Sequence, residues 1–378
     1  MPTLVALDLP PGSRFVDALQ AIWEAGDAAA PLDPRLPPPA RRSLLDALRP
    51  GAVVAPDGER VVLPDGRPVE PGDAVVVATS GSTGTPRGVV LTHDALAASA
   101  RATSARLGVD PAHDRWLACL PLAHIGGLAV VIRALLTGTP LEVHERFEPA
   151  AVEDASRQGA TMVSLVPTAL ARIDASGFRT VLLGGAAPPP ALAPNIVTTY
   201  GMTETASGVV YDGVPLDGVE LAIGDGRRGR AGEVLVRGPM LLRAYRDGTD
   251  PKLPGGWLPT GDAGRIDAGG RLVVDGRMAE VIVTGGEKVW PAAVERVLAR
   301  HPDVAEVAVV GHPDPEWGQV VVAVVAPRRA GAPPTLDALR EVVRGELGPW
   351  AAPKRLHLVD ALPRTPSGKI DRRSLQRR

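Results

Sequence analysis

The sequence predicts an α/β protein. A large N-terminal domain has mainly parallel sheets flanked by helices and ends in a β-rich stretch, and a small α+β domain follows at the C-terminus. Three observations carry this reading. Between Asp73 and Thr199 short apolar runs alternate with amphipathic stretches, the pattern of strands joined by helical crossovers. From about Gly218 glycine turns such as Gly255-Gly256 and Gly269-Gly270 separate short runs. After Gly276 a helical stretch, two valine-rich runs and a second helical stretch follow closely, which sets a boundary between 1–276 and 277–378.

Taken in order, Phe15, Leu19, Ile22 and Trp23 recur at helical spacing and predict a helix over 15–23. Pro37-Pro38-Pro39 is expected in loop or extended chain. Strands are expected at 74–78, 116–120, 162–166, 181–183 and 196–199, with helices at 93–106, 127–136 and 168–173. Further strands are expected at 233–237 and 271–275. Pro291 suits the first position of a helix that carries Val294, Val297 and Leu298 on one face. Strands at 304–310 and 320–326 come next, then a helix capped by Thr335 and closed by Gly348.

Composition excludes several functions. The 378 residues carry 41 Lys+Arg against 43 Asp+Glu, a formal net charge of −2. The chain therefore lacks the bulk positive field that nucleic acid or an anionic membrane attracts. Aromatics at 3% are too few for a single-strand stacking platform. The most apolar long run, 128–136, is interrupted by Arg133 and is far shorter than the ~20 residues that cross a bilayer. The first residues show no basic start ahead of an apolar run, so neither secretion nor membrane insertion is expected. Cys119 is the single cysteine, which forbids an intrachain disulfide and fits a reducing, cytoplasmic setting. Only four basic residues are lysine: Lys252, Lys288, Lys354 and Lys369. In a chain that otherwise writes arginine, these are candidates for places where a compact ammonium is required.

The motifs point to a nucleotide. Thr79-Ser80-Gly81-Ser82-Thr83-Gly84-Thr85-Pro86-Arg87-Gly88 follows an expected strand directly. Its glycines let backbone N–H groups approach a ligand, its hydroxyls add donors and Arg87 adds charge, a combination suited to polyphosphate. It is not a Walker loop, since Pro86 stands where the second glycine would be. In Thr199-Tyr200-Gly201-Met202-Thr203-Glu204-Thr205 a tyrosine face can stack on a purine, a threonine can bond a phosphate and a carboxylate can hold Mg²⁺. Asp262 in Thr260-Gly261-Asp262 can accept both hydroxyls of a ribose. Alone, that last motif reads better as an ordinary turn, and the Thr199–Thr205 motif equally well as a strand end with a polar turn. Asp275-Gly276-Arg277-Met278-Ala279-Glu280, Gly285-Gly286-Glu287-Lys288 and Pro363-Arg364-Thr365-Pro366-Ser367-Gly368-Lys369-Ile370 complete the series.

In this order the motifs, over about residues 70–378, resemble those of the adenylate-forming superfamily of acyl-CoA synthetases, luciferases and peptide-synthetase adenylation domains. The resemblance implies the substrates and cofactors ATP, Mg²⁺ and coenzyme A. It implies a phosphate loop including Thr79, Ser80, Gly81, Ser82, Thr83, Gly84 and Arg87, where the family usually has lysine at the last position. It implies adenine contact by the Tyr200-Gly201-Met202 segment, α-phosphate contact by Thr203, metal binding by Glu204 and ribose binding by Asp262 with Arg277. Lys288 falls where a basic residue reaches phosphate, Gly286 where backbone lines the pantetheine tunnel, and Lys369 on the catalytic lysine of adenylation. The C-terminal domain is then mobile about 276–280, although Ala279 replaces the polar residue usual at the pivot.

Two segments, 120–128 and 200–221, and the ~78 residues ahead of the phosphate loop resemble the short actinobacterial o-succinylbenzoate–CoA ligases. The resemblance implies a pocket for o-succinylbenzoate formed by His124, Gly126, Gly127, Ser164, Gly184, Gly185 and Ser207. No dense cluster of basic residues marks the site of the substrate's second carboxylate. Other acid–CoA ligases, a stand-alone domain loading a carrier protein, and a non-catalytic nucleotide-binding module are the alternatives. A homo-oligomer is left open.

Overall fold

The computed structural model describes residues 1–80, 86–189, 191–224, 231–329, 331–364 and 370–377. It divides into two compact units, Met1–Leu221 with Val236–Leu258, and Ala222–Leu235 with Pro259–Arg378. Among the described residues no helix is long and apolar enough to cross a membrane.

In the first unit β1 (Leu4–Leu7), β2 (Ala28–Pro31), β3 (Ala52–Val54), β4 (Arg60–Val62), β5 (Asp73–Ser80) and β6 (Pro86–Thr92) lie in the order β6-β5-β2-β1-β3-β4. The inner pairs are parallel, and β3–β4 and β5–β6 are antiparallel. Helix α1 (Ser13–Glu24) buries Phe15, Leu19 and Ile22, the stripe its periodicity predicts. The expectation at 37–39 holds only for Pro37, which is extended; Pro38 and Pro39 open helix α2 (Pro38–Leu48). A proline in the first turn gives up no helical hydrogen bond, because those N–H groups have no partner in any case. Alternate residues Leu4, Ala6, Ala28 and Ala30 of β1 and β2 share a core with Leu44 and Leu48 of α2. Patterning did not reveal these strands: β2 reads Ala-Ala-Ala-Pro and β4 is exposed along its length.

Thr92 caps α3 (His93–Leu107), its hydroxyl accepting the Ala95 N–H at 3.1 Å, and Gly108 ends it at φ +58°. The second sheet contains β7 (Trp116–Ala118), β8 (Leu141–Val143), β9 (Met162–Leu165), β10 (Thr180–Leu183), β11 (Ile196–Met202), β12 (Ser207–Tyr211) and β13 (Val214–Pro215). Its order is β13-β12-β11-β10-β9-β7-β8, parallel from β8 to β11 and antiparallel beyond. Helices α4 (Ile125–Thr137), α5 (Pro149–Arg157) and α6 (Pro167–Leu170) connect its strands, with α6 shorter than expected. Next, β14 (Glu220–Ile223) and β15 (Gly232–Arg237) begin a third sheet. Strand β16 (Ala244–Tyr245) returns to pair antiparallel with β6. Strands β17 (Leu258–Ile266) and β18 (Leu272–Arg277) complete the third sheet.

The rest of the second unit contains β19 (Ile282–Thr284), β20 (Glu287–Val289), α7 (Pro291–Leu298), β21 (Val304–Asp314), β22 (Gly318–Pro327), α8 (Leu336–Leu347), β23 (Arg355–Leu358) and α9 (Arg372–Leu375). Strands β21 and β22 are buried on both faces, which is why they read as nearly unbroken valine. Val307, Val309, Val321, Ala323 and Val325 pack with Val294 of α7 and Leu339 of α8. The opposite set, Ala308, Val310, Val320, Val322 and Val324, packs with Leu362 and Leu375.

Candidate active site

Open α/β sheets bind ligands at the carboxyl ends of their parallel strands. In the second sheet those ends carry residues 120–127 after β7, Gly184-Gly185 after β10, and Tyr200-Gly201-Met202 at the end of β11, while Ser164 lies half-buried on β9.

Beyond β11 the chain curls tightly. The buried Thr205 hydroxyl accepts the Met202 N–H at 2.9 Å and lies 2.6 Å from the Ser207 carbonyl, to which it can donate. Ala206 and Ser207 have φ of +56° and +145°, costly values for residues with side chains. Gly201 is required here, since a Cβ would sit 2.1 Å from the Ser207 carbonyl oxygen. The curl leaves Thr203 and Glu204 half-buried. The Glu204 carbonyl accepts the Leu242 N–H at 2.8 Å, and its carboxylate Oε1 accepts the Tyr245 hydroxyl at 3.0 Å. On the same tyrosine, the Arg87 guanidinium lies 5.1 Å from the ring centroid. Burial first, then the Glu204 charge, push the Tyr245 phenol up to about 12, so it stays a donor at neutral pH. Tyr245 lies 41 residues from Glu204 and no sequence pattern announces it.

Around α4 the predicted pocket residues differ in character. His124 and Gly126 are exposed, with His124 immediately preceding the helix. Gly127 is buried, and a Cβ there would lie 2.5 Å from the Leu120 carbonyl oxygen, so it serves close packing. Gly184 similarly admits Thr199, whose Oγ1 would be 2.5 Å from an added Cβ, whereas Gly185 is exposed at φ +81°. The Asp33 carboxyl is held below its usual range chiefly by its hydrogen bond from Arg35, with His124 contributing.

The unforeseen residue is Arg133, one and a half turns or more into α4 and 2% exposed. Its Nε and Nη1 have no hydrogen-bond partner. The guanidinium lies 4.9 Å from the Trp116 ring and lines a small cleft, with room for about one water molecule, together with Ser99, Ala129 and Ala206. Burial lowers its pKa. The sequence signal was the arginine interrupting the most apolar helix.

In the second unit Asp262 is buried, its N–H bonded to Thr260 Oγ1 at 3.1 Å and its carboxylate 3.0 Å from Arg277 Nε. Asp262 and Arg277 face each other across the β17–β18 pair. Gly285 and Gly286 form a two-residue hairpin between β19 and β20 with φ of +58° and +85°, a conformation that glycine adopts without strain. Lys288 is exposed on β20. Lys354 lies 3.1 Å from the ring centroid of the exposed Trp317, whose carbonyl accepts the Gly285 N–H at 2.9 Å. Of the phosphate loop, Thr79 is half-buried, Ser80 ends β5 and Arg87 is exposed on β6. Gly81, Ser82, Thr83, Gly84 and Lys369 lie outside the described residues.

A strand-end crevice, a curled Thr-Glu turn and a buried aspartate paired with arginine are the furniture of an enzyme that handles a nucleotide. The family model for AMP-binding enzymes matches residues 57–246, and that for the AMP-binding enzyme C-terminal domain matches 293–369. The chain belongs to this family. It is 38% identical to a probable 2-succinylbenzoate–CoA ligase of Mycobacterium tuberculosis over 99% of this chain and 98% of that one. It is 34% identical to an indoleacetate–CoA ligase of Aromatoleum aromaticum, over 97% and 72%. Among solved structures, o-succinylbenzoate CoA synthetase of Bacillus subtilis in complex with its acyl-adenylate intermediate superposes with a TM-score of 0.84. That structure shares 29% identity, over 99% of this chain and 88% of that one.

Proposed function

We propose that this chain is an o-succinylbenzoate–CoA ligase. The aliphatic carboxylate attacks the α-phosphorus of ATP, and the bond to pyrophosphate breaks. The thiol of coenzyme A then attacks the acyl-adenylate carbonyl, forming the thioester as AMP departs. The observation that carries the choice of acid is Arg133. A buried guanidinium whose Nε and Nη1 have no partner among the described residues, lining a small cleft beside Ala206, suits a substrate with a second carboxylate. His124, Ser207 and the exposed Gly126 and Gly185 would add further donors to the acid.

Catalysis here is positioning and charge stabilisation, with no covalent nucleophile. Arg87 and Thr203 take phosphate oxygens, Tyr200 the adenine, and Asp262, oriented by Arg277, the ribose hydroxyls. Magnesium is commonly held by one or two carboxylates plus substrate phosphates. The single half-buried carboxylate of Glu204 fits that demand, and among the described residues no cluster of three or more acidic, His or Cys side chains offers a different cage. When bound, the ion would neutralise charge on the phosphates. Lys369 supplies an ammonium during adenylation. The segment after Gly276–Glu280 then turns, bringing Gly286 and Lys288 to the second half-reaction. The Lys354–Trp317 pair is suited to the phosphorylated nucleoside of coenzyme A. All partners are small molecules and the setting is cytoplasmic.

ATP–pyrophosphate exchange dependent on o-succinylbenzoate tests the reading. Exchange with another aryl acid instead, for which the indoleacetate relative is a reason to look, would replace the substrate and keep the reaction. Lys369→Ala should abolish exchange yet leave thioester formation from supplied acyl-adenylate. Equal loss of both steps would remove Lys369 from its assigned role.

A further inference from the structure

Arg87 and Glu204 are opposite charges flanking one side chain, yet they form no ion pair with each other among the described contacts. Tyr245 receives both: its hydroxyl donates to Glu204 Oε1 at 3.0 Å, and its ring lies under the Arg87 guanidinium, 5.1 Å to the centroid. Its own placement is firm. Strand β16 pairs Tyr245 with Val89 and Ala244 with Val90 on β6, the strand that carries Arg87. The Tyr245 N–H bonds the Thr249 carbonyl at 2.8 Å, and the adjacent Arg246 N–H bonds the Gly88 carbonyl at 2.7 Å.

We infer that Tyr245 is a positioning residue that keeps the phosphate-binding cation and the metal-binding carboxylate from neutralising each other. The inference rests on the roles proposed above for Arg87 and Glu204. A direct salt bridge would satisfy both charges and leave each less able to meet a ligand. An aromatic ring attracts a cation without cancelling it, and a phenol occupies one carboxylate oxygen while leaving the negative charge for an ion.

Tyr245→Phe keeps the ring under Arg87 and removes the hydroxyl that donates to Glu204; Tyr245→Leu removes the ring as well. Binding of ATP to each folded protein, checked by its thermal melt, is measured calorimetrically with excess Mg²⁺ and again in a chelator. A hydrogen bond to a charged group is commonly worth about a tenfold change. Tyr245→Phe should weaken Mg·ATP binding roughly tenfold and leave metal-free ATP unchanged, while Tyr245→Leu should weaken both. Unaltered Mg·ATP binding by Tyr245→Phe, or equal losses with and without the ion, overturns the positioning role. If the unmodified protein binds ATP no better with Mg²⁺ than without, the metal assignment of Glu204 fails as well.

Discussion

Two buried arginines of the first unit are treated in opposite ways. Arg246, at the end of β16, is surrounded by acceptors. It donates to the carbonyls of Leu48 at 2.9 Å, Pro68 at 2.8 Å and Arg49 at 3.3 Å, and also to that of Arg67. Arg133, in α4, has Nε and Nη1 with no acceptor among the described residues. Burial lowers the pKa of both, that of Arg246 to about 10, and an arginine side chain keeps its charge in proteins. The difference separates a staple from a site. Carbonyl oxygens far apart in sequence complete Arg246, which joins the N-terminal strands to β16. The protein leaves Arg133 incomplete, and a buried charge without partners is costly unless a ligand supplies them.

The largest effect expected is from Arg246→Met, which removes a buried guanidinium bonded to four carbonyls and orphans the buried Leu48 carbonyl, and should cost ~3 kcal/mol or more in chemical denaturation. A near-neutral result would end its description as a staple. Arg133→Met should raise the KM for o-succinylbenzoate by ~10–100-fold with the KM for ATP unchanged. The same change should leave stability equal or improved by ~1 kcal/mol, because an unpaired charge leaves the interior. Loss of stability without loss of acid affinity would make Arg133 a second staple. Asp262→Asn probes an intermediate case, a buried carboxylate paired with an arginine 54% exposed. The KM for ATP should rise ~10-fold, with ~1 kcal/mol or less of stability lost, since water screens the pair. The smallest effect concerns the buried Cys119. Burial raises its thiol from 9.0 to about 12, so alkylation of the native protein at pH 8 should be negligible. The unfolded thiol ionises near pH 9 while the folded one stays protonated, so its contribution to stability falls as pH rises from 9 toward 12. Rapid native alkylation would contradict its burial.

The motifs were legible because each is local. The strand ends, the Gly201 turn and the Thr335 cap are set by a few adjacent residues, and the nearly unbroken valine of β21 and β22 follows from burial on both faces. The strands of residues 1–70 were not legible, since alanine and exposed valine carry no period. Pro38 and Pro39 misled because proline excludes a helix interior and not its first turn.

By itself the sequence determined the order of nucleotide-binding motifs and the α/β class, both properties of contiguous chain. Only the tertiary structure decided which charges are completed and which are left for a ligand. Tyr245 meets Glu204 across 41 residues, Arg246 meets Leu48 across 198, and Arg133 Nε and Nη1 meet no partner among the described residues. Electrostatic satisfaction depends on distance in space and on exclusion of water, and neither is written in any single stretch of chain.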